Sequence, residues 1–407
     1  MKKIFVFLMI CAIFIVTGCG KDSSESVFKN LTNKINKLDG YTISGILEVK
    51  NNNNNYTYDV SVSFMKKDKF RVSLTNTSNN HEQVILRNDD GVFVLTPSLN
   101  KSFKFQSDWP YNNSQVYILS SIVDDLNKDS EVTKEERDGK YIFTSKVSFP
   151  NNNKLVKERV TVTSDLFIES VEVLNDKDEV EMKFTVKNTD YNPTFDESYF
   201  EVNSIINNTN NNSNASDTNN ENNKADNTTT NSNCNKGEDC KTNTNENSSN
   251  NMNNNLNASQ TGSTMNGFIE DDIIKTASLE EDITKKDTSK TASLQDIIYP
   301  LYLPTGTVLK EQEKVSKTDG ERVILTFSGD KGFTLVEETA TKEAEFTIIP
   351  TYGEPGFVND TIGAITDNSL NWISNGIEYY MVSDVMNTIE LLDIANSINV
   401  TSVASLK

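Results

Sequence analysis

Few side chains in this sequence could run a reaction. His81 is the only histidine among 407 residues, so a His-based triad or a multi-histidine metal site has no second member. It follows Asn79-Asn80 beside an apolar run, and no Gly-x-Ser-x-Gly elbow accompanies it. A general base acts only with a placed partner, so His81 reads as an exposed loop residue. The adjacent acids Asp124-Asp125, Asp271-Asp272 and Glu337-Glu338 would point to opposite faces of a strand and cannot flank a glycosidic bond by themselves. Asp176-Lys177-Asp178-Glu179 lacks the twelve-residue calcium-loop pattern and reads as a hairpin turn. With no glycine-rich phosphate cradle either, the chain is expected to be non-catalytic, with no cofactor and no metal.

The cysteines say more about place than about chemistry. Lys2-Lys3 precede an apolar run of 13 residues, Ile4 to Val16. That is short of the roughly 20 residues a membrane span needs and fits a secretory leader. The run closes on Val16-Thr17-Gly18-Cys19, which resembles the bacterial lipobox. The resemblance implies cleavage after residue 18, a lipid on the Cys19 thiol, a short tether over 19–23, and a protein anchored on the extracytoplasmic face of the cell membrane. Cys11 would leave with the leader. Cys234 and Cys240 remain, separated by five residues. A local disulfide and two free thiols both stay open; a metal site lacks further ligands.

Charge narrows the partners. With 39 Lys+Arg against 59 Asp+Glu and a net charge of −20, the chain does not suit nucleic acid, whose phosphates call for basic side chains. Acidity also works against lying flat on anionic head groups, so acyl chains would hold the protein at the membrane.

Composition divides the exported part. Residues 203–257 hold 24 Asn and 13 Ser/Thr, too few apolar groups to offset the entropy of ordering the backbone. The whole of 203–293 reads as a disordered Asn-rich linker, within which Lys275-Thr-Ala-Ser-Leu279 recurs at 290–294. Before it, Val27, Leu31, Ile35 and Leu38 recur at helical spacing. Strand signals then follow from Tyr41 to Lys187, broken by a helical interlude around Gln115 to Leu126. Ten or eleven antiparallel strands with two helices are too many for a flat sheet. The fold expected for 24–202 is mainly β: a half-closed antiparallel β-barrel with a helical lid. Its inward row is expected at Ile43, Leu47, Val60, Val62, Phe64, Phe70, Val72, Val84, Leu86, Phe93, Phe103 and Phe143. A hollow lining and a filled core are both open readings of these residues.

The order of elements, with Tyr41-x-x-x-Gly45, Lys66-x-Asp-Lys-Phe-Arg-Val72, Asp90-Gly-Val-Phe93 and Asp196-x-x-Tyr-Phe200, resembles the LolA/RseB/LppX superfamily. The resemblance implies an unclosed barrel that binds acyl chains or, in some branches, a partner protein. One such branch is the GerS-type sporulation and germination lipoproteins, implicated in enabling a cortex-modifying amidase.

Residues 294–407 read as a second, α+β unit with 7 basic and 17 acidic residues. Strands are expected at Arg322–Phe327, Phe333–Glu337 and Glu345–Ile349, with a hairpin turned at Asn375-Gly376 and a final helix from Thr388 to Ile398. Leu303-Pro304-x-Gly306, the Trp372 hairpin and the closing Ile394-Ala-Asn-Ser-Ile398 resemble a C-terminal domain of sporulation-associated membrane lipoproteins. Two functions follow as expectations: a membrane-anchored binder of lipid or lipoprotein acyl chains, or a scaffold for a cell-wall amidase or sporulation membrane complex.

Overall fold

The computed structural model describes residues 23–51, 54–150, 152–206, 294, 297–317 and 320–398. Cys19, Cys234, Cys240 and the repeated Lys-Thr-Ala-Ser-Leu, apart from Leu294, lie outside them, as does nearly all of the Asn-rich stretch.

The chain opens on helix α1 (Ser24–Ile35), whose N-cap Ser23 accepts the Ser26 N–H at 3.2 Å. Ser at this position satisfies one of the donors a helix start leaves free. Val27, Leu31 and Ile35, one helical turn apart, are its buried face. Six strands follow: β1 (Gly40–Asn51), β2 (Asn54–Met65), β3 (Lys69–Asn76), β4 (Glu82–Asn88), β5 (Gly91–Thr96) and β6 (Lys101–Phe105). After helix α2 (Leu119–Lys128) come β7 (Thr133–Arg137), β8 (Lys140–Lys146), β9 (Lys157–Val162), β10 (Ile168–Leu174) and β11 (Val180–Asp190).

These eleven strands form one antiparallel sheet in which the first and last parts of the meander meet, β1 pairing with β11. The sheet curves without closing. Its concave side is packed by both helices, with Val27 and Leu31 of α1 and Leu119, Ile122, Val123 and Leu126 of α2 in one apolar core with the strands. Each such side chain contributes about 1.5–3 kcal/mol when fully buried.

The two residues of the Tyr41-x-x-x-Gly45 pattern both serve this closure. Tyr41 is buried on the concave face, and its hydroxyl accepts the Leu119 N–H that opens α2, at 3.2 Å. At Gly45 the β1–β11 ladder shifts register. A Cβ there would collide with the Thr185 carbonyl oxygen and stand 2.9 Å from the Phe184 ring. Only glycine permits that approach.

The C-terminal strands are β12 (Val308–Lys317), β13 (Gly320–Ser328), β14 (Phe333–Thr339), β15 (Thr347–Thr351), β16 (Glu354–Val358), β17 (Thr361–Ile365), β18 (Ser369–Ser374) and β19 (Ile377–Val382), followed by helix α3 (Thr388–Ala395). Seven of them make a second sheet in the order β12-β13-β14-β19-β18-β17-β16. Its core stacks Trp372 on Tyr379 at 4.8 Å and Phe327 on Phe333 at 4.3 Å, under Leu391 and Ile394 of α3. A reciprocal Asn387–Glu390 capping box starts that helix. The Asn375-Gly376 hairpin turn is present, with φ of 49° and 79° at the two residues.

Three features differ from the sequence reading. The strand expected around Glu345–Ile349 does not stay in the C-terminal sheet. As β15 it runs parallel to β6 and becomes the twelfth strand of the first sheet, so 23–206 and 294–398 fall in one compact unit. Order also continues past Val202: Ile205 is buried with Phe200. Finally, β12, β16 and β17 had no clear signal. β12 is a polar edge strand exposed along most of its length, so nothing alternates. Pro355, Gly356 and Gly363 interrupt the other two.

Candidate functional site

A cavity of about 580 Å3 opens at one end of the first sheet, beneath the C-terminal strands. It would hold roughly twenty waters at about 30 Å3 each and is within the size range of small-molecule sites. Its floor is the end of β1 and the facing start of β11, where Val49 pairs with Met182. Ile85 of β4, Trp109, Val116 and Tyr117 of the loop before α2, and Leu155 add apolar wall. Pro355 and Phe357 of β16, Ile362 and Ile365 of β17, and Ile389 and Leu392 of α3 close it from the C-terminal side.

The loop that carries Trp109 is tied down from both sides. Arg87 donates to the Trp109 carbonyl at 2.8 Å, and the Trp109 N–H donates to the Ser107 hydroxyl at 2.9 Å. Ser114 and Ser148 exchange two bonds, the Ser114 N–H to the Ser148 carbonyl at 2.9 Å and the Ser148 N–H to the Ser114 hydroxyl at 2.8 Å. Both of these partners are backbone or short side chains, which have few rotamers to fix.

The C-terminal wall is fixed through a polar seam. Gln83, buried on β4, donates to the Ile362 carbonyl at 2.9 Å and accepts from the Thr361 hydroxyl and the Ile362 N–H, each at 2.6 Å. One carboxamide thus replaces a stretch of sheet ladder. Asn359, buried with φ 57°, accepts the Tyr56 hydroxyl on its Oδ1 at 2.6 Å, and its carbonyl accepts Asn51 Nδ2 at 3.2 Å. Its own N–H donates to Asn396 Oδ1 at 2.8 Å, just past α3. His81, expected on an exposed loop, is half-buried beside this seam. Burial pushes its pKa down, with Asp360 pulling the other way. Its Nε2 has no partner among the described residues.

The expected inward residues are placed as follows. Ile43, Leu47, Val60, Val62, Phe70, Val72 and Phe143 lie together on the concave side, with Phe64 and Phe103 partly buried against them. They are packed against the helices and do not border the cavity. Val84, Leu86 and Phe93 are on the opposite face, in a separate cluster with Leu95, Phe200 and Ile205. Their parity is reversed because β4 and β5 are covered on both faces: Ile85, Val92 and Val94 face the main core. An apolar run covered on both sides carries no alternation from which to choose a face. The cavity residues were missed because they come from loop ends and from strands with weak signals. The one usable mark was Gln83, a lone carboxamide inside an apolar strand.

A wide antiparallel half-barrel wraps two helices, with a hollow of ligand size at its rim. Its solved neighbours include a crystal structure of MucB at 12% identity and TM-score 0.28, covering 93% of this chain and 99% of that one. Another is the LolA superfamily protein NE2245 from Nitrosomonas europaea, at 10% identity and TM-score 0.27, covering 45% of this chain and 100% of that one. By sequence, residues 1–200 match the family described as Sporulation protein YdcC-like. The chain is similar to sporulation protein YdcC of Bacillus subtilis (strain 168), 28% identical over 399 residues and 97% of each chain.

Proposed function

We propose that the protein is an envelope lipoprotein, anchored through Cys19, that holds an acyl chain of a lipid or lipoprotein and performs no catalysis itself. The observation that carries the reading is the cavity of about 580 Å3, with apolar walls contributed by both sheets and α3. Small-molecule sites pair apolar wall with placed polar groups; here the lining is mixed, with amides and charged groups beside the apolar residues. Native mass spectrometry of the full chain purified from membranes tests it. A bound species of acyl-lipid mass is expected, and it should be lost when Met182→Trp fills the floor of the cavity. Recovering the folded wild-type chain empty in every preparation would overturn the reading.

A second reading, as scaffold or regulator of a cell-wall amidase or a sporulation membrane complex, is favoured by the similarity to a sporulation protein over 97% of each chain. Crosslinking in sporulating cells would recover a wall enzyme or membrane complex if this reading holds. Recovery of abundant bystanders alone would count against it.

A further inference from the structure

Resting on the acyl-binding reading, we infer that the ligand's head group is uncharged and offers both hydrogen-bond donors and acceptors, as a glycerol, sugar or amide does. The rim of the cavity is built for that chemistry. Six carboxamides line it, from Asn51, Asn113, Gln115, Asn152, Asn175 and Asn396. Several are half engaged with the protein and leave one end free among the described residues. Asn51 donates through Nδ2 to the Asn359 carbonyl, leaving its Oδ1. Asn396 accepts on Oδ1, leaving its Nδ2. Asn152 accepts the Lys154 N–H on Oδ1 at 3.1 Å, again leaving Nδ2. The free valences are therefore a mixture of neutral donors and acceptors.

Charges at the rim cancel. Lys50, Lys154 and Lys177 face Asp176, Glu181 and Asp393 around the same opening. Lys154, from the first sheet's side, is held by Asp393 of α3 at 3.0 Å. Glu181 accepts Asn175 Nδ2 at 2.6 Å. Lys50 and Lys177 are exposed and solvated at the outer edge. An anionic head would enter a site with no net positive charge, inside a protein of net charge −20, against the long-range field. A cationic head finds Asp393 and Glu181 already engaged, and the exposed Asp176 faces three lysines around the same opening. A neutral polar head meets open amide groups at no desolvation cost for an ion.

The test titrates the full chain with two probes of equal acyl length, a monoacylglycerol and a lysophosphatidylglycerol, at low ionic strength, following the fluorescence of Trp109 in a Trp372→Phe background. The monoacylglycerol should bind at least tenfold more tightly. In Asp393→Asn, where Lys154 loses its counter-charge, the lysophosphatidylglycerol should gain several-fold while the monoacylglycerol changes little. Equal or tighter binding of the anionic probe by the unmodified rim would overturn the inference and leave acyl binding standing. Binding of neither probe by a folded chain would overturn acyl binding as well.

Discussion

The Tyr56 hydroxyl donates a 2.6 Å hydrogen bond to Asn359 Oδ1 across the seam between the first sheet and the β16–β17 turn. Asn359 is only 3% exposed and sits at φ 57°, a backbone region that asparagine tolerates better than other side chains. Burial pushes the Tyr56 pKa up to about 12, so the hydroxyl remains a donor throughout the physiological range.

Tyr56→Phe leaves that carboxamide oxygen buried without its donor. A loss of about 1–3 kcal/mol is expected, read as a lower midpoint in urea denaturation with an unchanged slope. A stability equal to wild type would mean the seam does not restrain the C-terminal strands.

Gly45→Ala should be far worse than its one methyl group suggests. The added carbon meets the backbone of β11 where the ladder shifts, and backbone cannot move aside as a side-chain tip does. Destabilisation of about 3 kcal/mol or more is expected from overpacking at a rigid contact, measured as a drop in Tm; a shift of a degree or two would contradict it.

Glu337 supplies a pH dependence. It is fully buried on β14, accepts the Ile298 N–H at 3.1 Å, and burial pushes its pKa up to about 7. A folded-state pKa raised above the unfolded value favours folding at low pH. The contribution is complete below about pH 4.5 and disappears as pH rises through about 7. The difference is on the order of 3 kcal/mol. Stability of the wild type should therefore fall between pH 5 and 8 relative to Glu337→Gln, which keeps an acceptor and carries no titrating proton. Parallel profiles for the two chains would refute the assignment.

The anchor is tested separately from the fold. Cys19→Ala should release the protein into the medium with its melting curve unchanged, because the described fold begins at residue 23. Unchanged membrane retention would rule out lipidation as the tether.

Legibility in the sequence followed the source of each signal. α1 was readable because Val27, Leu31 and Ile35 face one side while the remaining residues are exposed or half-exposed. β1 was readable for the same reason at period two, with Tyr41, Ile43, Leu47 and Val49 alternating against exposed or half-exposed neighbours. The hairpin turn at Asn375-Gly376 followed from residues that tolerate positive φ. β4 gave the right strand and the wrong face, since Val84 and Leu86 look as inward as Ile85 when both faces are covered. The candidate site was the least legible part. Its walls are brought together by contacts such as Gln83 with Ile362, between residues separated by most of the chain, and spacing along a sequence does not register such meetings.

The parallel pairing of β15 with β6 has a consequence for the order in which the molecule can be completed. Residues 101–105 have no neighbour on that side until 347–351 have been made. During that interval the edge of the first sheet offers a row of unpaired amides and carbonyls, the condition under which strands of different chains join. Contacts of such long sequence separation also form slowly. Final assembly of the N-terminal half is thus timed by the arrival of the C-terminal half, and a chain cut short before β15 would retain an adhesive edge.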